Sequence, residues 1–215
     1  MEQTTETKPR PTLTDQARVF FKGIVEPIAG FFNRLGLMPN TMTILGLVGN
    51  IIGAFFLARG NFVVGGIMIL VMGPVDALDG TMARLRGMAG EFGAFTDSVT
   101  DRYSELVIFA GLLYYYTQHG DTRATLLVYA AAAGSVLVSY VRARGQSLGW
   151  DTKVGILTRF ERYLVLSPAL ILQPLFIQLP LIGIGIIAVL ANLTAFQRIS
   201  DVRRQAYKSR QPPTP

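Results

Sequence analysis

Four aspartates fall within a window of 26 residues, in the pattern Asp76-x2-Asp79-Gly80-x2-Ala83-Arg84-x8-Gly93-x3-Asp97-x3-Asp101, and they are half of the chain's eight. The stretch around them is apolar enough to lie in a membrane, where an ionised carboxylate is costly and points to function by default. Asp76 and Asp79 are three apart and Asp97 and Asp101 four apart, so each pair shares one face of its segment if that segment is helical. Four carboxylates brought together repel unless cations or protons neutralise them. Hard divalent ions with oxygen ligands answer that need, and a two-metal site about 3.5–4 Å wide serves displacement at phosphorus. The ligand type predicts magnesium or manganese, as two ions. Zinc is disfavoured, because the chain has one histidine, His119, and no cysteine.

The small residues belong to the same pattern. Gly80 and Ala83 follow Asp79, and Gly93 lies one turn before Asp97, so absent side chains would let a ligand or a facing helix come close. Arg84 is placed to contact phosphate, which its planar fork suits. Singly, each of these residues has a plainer explanation in helix packing or membrane anchoring. The combination at these spacings carries the argument.

Apolar runs covering roughly 41–58, 62–80, 93–117, 124–141, 163–179 and 180–197 position these residues, and each approaches the ~20 residues needed to cross hydrocarbon as a helix. The expected fold is an all-α integral membrane protein of six transmembrane helices, preceded by an N-terminal amphipathic helix in the interface over residues 13–38. Pro27 would kink or divide that leading helix. Residues 1–12 read as a mobile tail, 39–200 as the catalytic membrane domain and 201–215 as a basic cytoplasmic tail. Strands are excluded by the lack of barrel-like alternation. Pro39-Asn40-Thr41 reads as a turn and N-cap, and Gly49-x3-Gly53 as a face for close helix approach.

Of the 20 basic residues, 17 fall on one side of this arrangement; Arg59 and Arg123 lie opposite and Arg102 within the third span. By the positive-inside rule both termini are cytoplasmic, in a multi-pass protein of the cell membrane with its acidic cluster on the cytoplasmic side. The net charge of +6 is thus a membrane signature and does not indicate nucleic-acid binding. The polar first residues show no signal peptide.

With all eight positions present, the pattern resembles the signature of the CDP-alcohol phosphotransferase (phosphatidyltransferase) family, and the resemblance covers most of residues 14–205. It implies transfer of a phosphatidyl-type group from a CDP-linked lipid to an alcohol, with release of CMP. It also implies that Asp76, Asp79 and Asp97 hold the metals and that Asp101 is both ligand and proton acceptor. Gly80, Ala83, Arg84, Gly93, the Asn40-Thr41-Met42-Thr43 segment and the loop near Gly90 would contact the CDP-lipid. Family members are commonly homodimers. The chemistry agrees with the residues, since an attacking hydroxyl needs a carboxylate base and a leaving phosphate needs its charge neutralised.

A second basic group bears on the acceptor. Arg142 and Arg144 end the fourth span, Arg159 and Arg162 open the fifth and Arg198 closes the sixth. Charges at three cytoplasmic helix ends could converge on an anionic group, although positive-inside anchoring explains any one of them. The segments Ser139–Arg144, Thr158–Arg162 and Gln197-Arg198 resemble the branch of the family that uses inositol 1-phosphate, which implies Arg142, Arg144, Arg159 and Arg198 as acceptor-phosphate contacts. Glycerol 3-phosphate is the alternative soluble phosphorylated polyol. A divalent-cation transporter is the rival from another class, but a through-path should place ionisable groups at several depths rather than at one end. Glu105, one turn beyond Asp101, reads as part of a buried polar network rather than as a ligand. His119 reads as a solvated loop residue.

Overall fold

The structure, a computed structural model, describes residues 13–209, apart from the side chains of 13–22, 24, 76 and 77. The tail expected over residues 1–12 and the end of the basic C-terminal segment from Arg210 onward lie outside the described residues. Among those described, the elements are all helices: α1 (Leu13–Arg34), α2 (Pro39–Ala58), α3 (Phe62–Leu85), α4 (Glu91–Gln118), α5 (Thr122–Ser147), α6 (Arg159–Ile171) and α7 (Leu179–Lys208).

Local chemistry sets the helix starts. Asn61 accepts from the Val64 amide ahead of α3, and Asp121 accepts from the Ala124 amide at 2.9 Å ahead of α5. The chain reverses before these caps at Gly60 and Gly120, whose φ of 78° and 68° favours a residue without a Cβ. The cap expected within Pro39–Thr41 falls one residue earlier. Met38 is extended and Pro39 opens α2 at the first helical position, where its missing N–H has no partner to lose.

Helix α2 organises the bundle. Its buried stripe runs Met42, Thr43, Gly46, Gly49, Asn50, Gly53, Ala54 and Leu57. This narrow face packs on α3 and α4 alike. Gly49 faces the Met72 side chain and Gly53 faces Gly65, so the small-residue pair serves an intramolecular contact. On the other side a Cβ at Gly111 would run into the Ala54 carbonyl oxygen. The largest apolar core joins Leu57 and Ile69 to Ile108, Leu112, Val128, Leu170, Ile184 and Ile187. Helices α5 and α7 are pinned by Asn192, which donates to the Ala130 carbonyl at 2.9 Å and fits against Gly134.

Among the described residues, four helices, α2, α3, α5 and α7, are long and apolar enough to cross a membrane. Helix α4 has 28 residues, but Asp97, Asp101, Arg102 and Glu105 crowd its first half. The run expected over 163–179 is helical only to Ile171, giving α6 13 residues, with Pro168 inside and Pro174 beyond its end. The last run continues well past its apolar part, to Lys208. Helix α1 stays continuous across Pro27. Its Ala29 is fully buried in a small cluster with Met42, Leu78 and Met82, flanked by Val25 and Phe32.

Candidate active site

The carboxylates are presented by α3 and α4, and α2 packs between those helices. The short loop between α3 and α4 alone would make them direct neighbours, but the thin face of α2 lets it touch both. Thr43 on α2 donates its hydroxyl to Asp79 Oδ2 at 2.5 Å, and the Gly80 amide donates to Asp79 Oδ1 at 2.5 Å. Asp79 is 5% exposed. Asp97 and Asp101 lie half-buried on successive turns of α4. Asp76 sits one turn before Asp79, with its side chain outside the described set. Among the described residues, no three acidic or imidazole groups lie close enough to grip one ion.

Asp101 forms an ion pair with Arg159 of α6, whose guanidinium also lies 5.4 Å from the centre of the Tyr163 ring. A partly buried carboxylate needs positive charge beside it, and here Arg159 supplies it. Carboxylate oxygens such as these are the ligand type that a hard divalent ion takes. Around it, Arg84 donates to the Thr81 hydroxyl at 2.8 Å. A Cβ at Gly80 would come no closer than 3.5 Å to Arg84, and one at Gly90 or Gly93 would meet nothing within 4 Å. Helix packing thus does not require these glycines. Asn40 is exposed, Thr41 and Ala83 are half-buried, and Met42 is buried in the α1–α3 cluster.

The four acceptor candidates lie in different settings. Arg142 is 3.9 Å from Asp151, in the connector between α5 and α6. Partial desolvation raises the Asp151 carboxyl, but hydrogen bonds from Lys153 and Gln146 and the charges of Lys153 and Arg142 outweigh it and hold it below the usual carboxylate range. Arg144 is exposed and reaches Ser147 at 3.3 Å. Arg198 is buried, donating to the Val138 carbonyl at 2.8 Å and the Val154 carbonyl at 3.0 Å.

The connector itself is pinned by Thr194, whose buried hydroxyl accepts from the Ile156 amide at 3.3 Å and the Leu157 amide at 3.2 Å. Glu105 and Arg162 form a two-pronged pair, Nε to Oε1 at 2.6 Å and Nη2 to Oε2 at 3.0 Å. They are 7% and 2% exposed. The network expected for Glu105 is thus present. Its partner was not legible, because Arg162 counts in the sequence as one more basic residue at a span's end. The signal for it is the spacing: Asp101 and Glu105 are four apart on α4, Arg159 and Arg162 three apart on α6.

Helices of membrane length, with the Asp101–Arg159 pair between α4 and α6, define a membrane protein with a charged site. The chain belongs to the CDP-alcohol phosphatidyltransferase family, whose model matches residues 36–196. It is therefore a transferase and a multi-pass membrane protein. It is 37% identical to the phosphatidylinositol phosphate synthase of Streptomyces avermitilis over 94% of this chain and 87% of the relative. It is 30% identical to the archaetidylinositol phosphate synthase of Pyrococcus horikoshii, over 84% and 92% of the two chains. Among solved structures, the Mycobacterium tuberculosis phosphatidylinositol phosphate synthase with CDP-DAG bound aligns with a TM-score of 0.78 at 30% identity, covering 83% of this chain and 93% of that one. The same enzyme in complex with manganese and citrate aligns at 0.79 and 29% identity, covering 83% and 88%.

Proposed function

We propose that this protein transfers the phosphatidyl group of CDP-diacylglycerol to inositol 1-phosphate, giving phosphatidylinositol phosphate and CMP. The observation that carries the reading is Arg159 seated on Asp101, which puts a phosphate-binding fork beside the candidate base. Similarity to enzymes named for inositol-phosphate acceptors supports the same choice.

Asp101 accepts the proton of the acceptor hydroxyl as that oxygen forms its bond to the lipid-linked phosphorus and the bond to the CMP phosphate breaks. Arg142, Arg144, Arg159 and Arg198 hold the acceptor's phosphate. Asn40, Thr41, Met42, Thr43, Gly80, Ala83, Arg84, Gly90 and Gly93 line the place of the CDP-lipid. Asp76, Asp79, Asp97 and Asp101 would hold magnesium or manganese, as two ions. When bound, these neutralise charge on the leaving phosphate. Thr43 orients Asp79 through its hydrogen bond.

In the membrane, α2 to α7 make six passes, the short α6 completing its pass with the turns that follow Ile171, with α4 turning its charges inward, and α1 rests in the interface, its Phe31 and Leu35 exposed. Residues 13–38 form this juxtamembrane element, 39–200 the catalytic domain and 201–215 a basic tail. Both termini and the site face the cytoplasm at the cell membrane, and the protein works as a homodimer. An acceptor panel with CDP-diacylglycerol and magnesium tests the proposal by CMP release. Turnover with inositol 1-phosphate is expected. Preference for glycerol 3-phosphate would reassign the acceptor, and equal use of free inositol or serine would overturn the arginine pocket.

A further inference from the structure

The transfer reaction as proposed uses Asp101 and Arg159 and leaves two buried charges, Glu105 and Arg162, without a task. Their geometry is not that of incidental glue. Both prongs of the carboxylate meet one edge of the guanidinium, Nε at 2.6 Å and Nη2 at 3.0 Å, and Nη1 of Arg162 donates to the Leu157 carbonyl at 3.2 Å. A planar two-pronged contact fixes rotation as well as distance, which an apolar contact of equal volume does not. It lies one turn deeper on α4 than Asp101 and one turn further along α6 than Arg159, so the two ion pairs form successive rungs between the same helices. The upper rung, Asp101 with Arg159, must open for substrate. The lower one is buried, and large apolar residues surround it: Ile69, Ile108, Phe109, Leu166 and Ile187 line the same pocket.

We propose that the buried Glu105–Arg162 pair is a positioning device that locks the rotation of α6 against α4 and so aims Arg159 at the acceptor's phosphate beside Asp101. The inference rests on the acceptor role given to Arg159 above. The link to Leu157 extends the lock to the connector: Leu157 and Ile156 donate to Thr194, and Arg198 holds Val154 in the same connector. One buried pair thereby sets α6 and, through backbone, the connector running from Arg142 and Asp151 to Arg159.

The test uses the full-length protein in detergent or nanodiscs and the double variant Glu105→Leu/Arg162→Met, which removes both charges together and keeps the volume. Uncharged replacement of a buried pair commonly leaves stability equal or higher, so a fold-only role predicts an unchanged enzyme. The positioning role predicts an unchanged melting temperature and donor KM, a rise of about tenfold or more in the KM for inositol 1-phosphate, and a kcat within about threefold. A second readout needs no activity. The chain has no cysteine, so spin labels at Tyr103→Cys on α4 and Leu164→Cys on α6 report one interhelical distance. Both positions are exposed. The distance is narrow with the pair present and broadens in the double variant. A narrow distance together with an unchanged acceptor KM overturns the proposal. If the double variant does not fold, Arg162→Lys, which keeps the charge and loses the fork, decides by the same two measurements. A wild-type protein that ignores inositol 1-phosphate sinks the acceptor assignment alone, and the distance measurement still judges the lock.

Discussion

Thr43 on α2 donates its hydroxyl to Asp79 on α3 at 2.5 Å, across 36 positions of sequence and in a buried setting. A hydrogen bond to a charged group is worth about 1.5–3 kcal/mol, and losing it leaves a buried carboxylate oxygen short of a donor. Thr43→Val is expected to lower kcat/KM for the CDP-lipid by about tenfold or more, whereas Thr43→Ser keeps most of it. Steady-state CMP release for the two variants measures this. Equal loss in both would assign Thr43 a packing role instead.

Asp101→Asn keeps the shape of the site and removes its base. Turnover is expected to fall by about 10²–10⁴, the range for a positioned proton acceptor, with CDP affinity by calorimetry changed far less. Loss of nucleotide binding with normal single-turnover chemistry would contradict the assignment.

On the proposed metal role of the aspartates, chelation should stop CMP release, and added manganese or magnesium should restore it. Thermal stability with and without the ion gives the independent reading, because binding to the folded state alone must raise the melting temperature.

Thr194→Val leaves the Ile156 and Leu157 amides without their acceptor. Each buried unsatisfied donor costs about 1–3 kcal/mol, so the melting temperature should drop and Thr194→Ser should restore it. Limited proteolysis of the connector between α5 and α6 reports the same change locally.

Gly111→Ala is expected to destabilise by about 1–3 kcal/mol, because the added methyl meets the Ala54 carbonyl in a rigid helix. Gly185→Ala is the control. A Cβ there meets nothing within 4 Å, and replacing a mid-helix glycine should stabilise by about 0.5–1 kcal/mol.

The apolar runs and the aspartate spacing made the helical class and the family legible without coordinates. Those signals are local: a helix face or a stretch of hydropathy is complete within a few turns. What the sequence concealed is relational. Nothing local distinguishes Arg162, sealed against Glu105, from Arg144, exposed at the end of α5. The insertion of α2 between α3 and α4 was hidden for the same reason, because a short loop suggests direct neighbours and only the thinness of the Gly46–Gly53 face allows a third helix in. Hydropathy also overstated α6, since Pro168 and Pro174 end a helix that composition alone would continue.

The face of α2 acts as a spacer gauge. Because Gly49 and Gly53 meet α3 and the Ala54 carbonyl meets Gly111 of α4, the spacing of the helices that carry Asp79 and Asp97 and Asp101 depends on residues that bear no charge. On the metal role proposed above, the cation radius those helices would bridge is set by the girth of an unreactive neighbour. Shaving or thickening that neighbour by single methyl groups would retune ion preference while every ligand stayed in place.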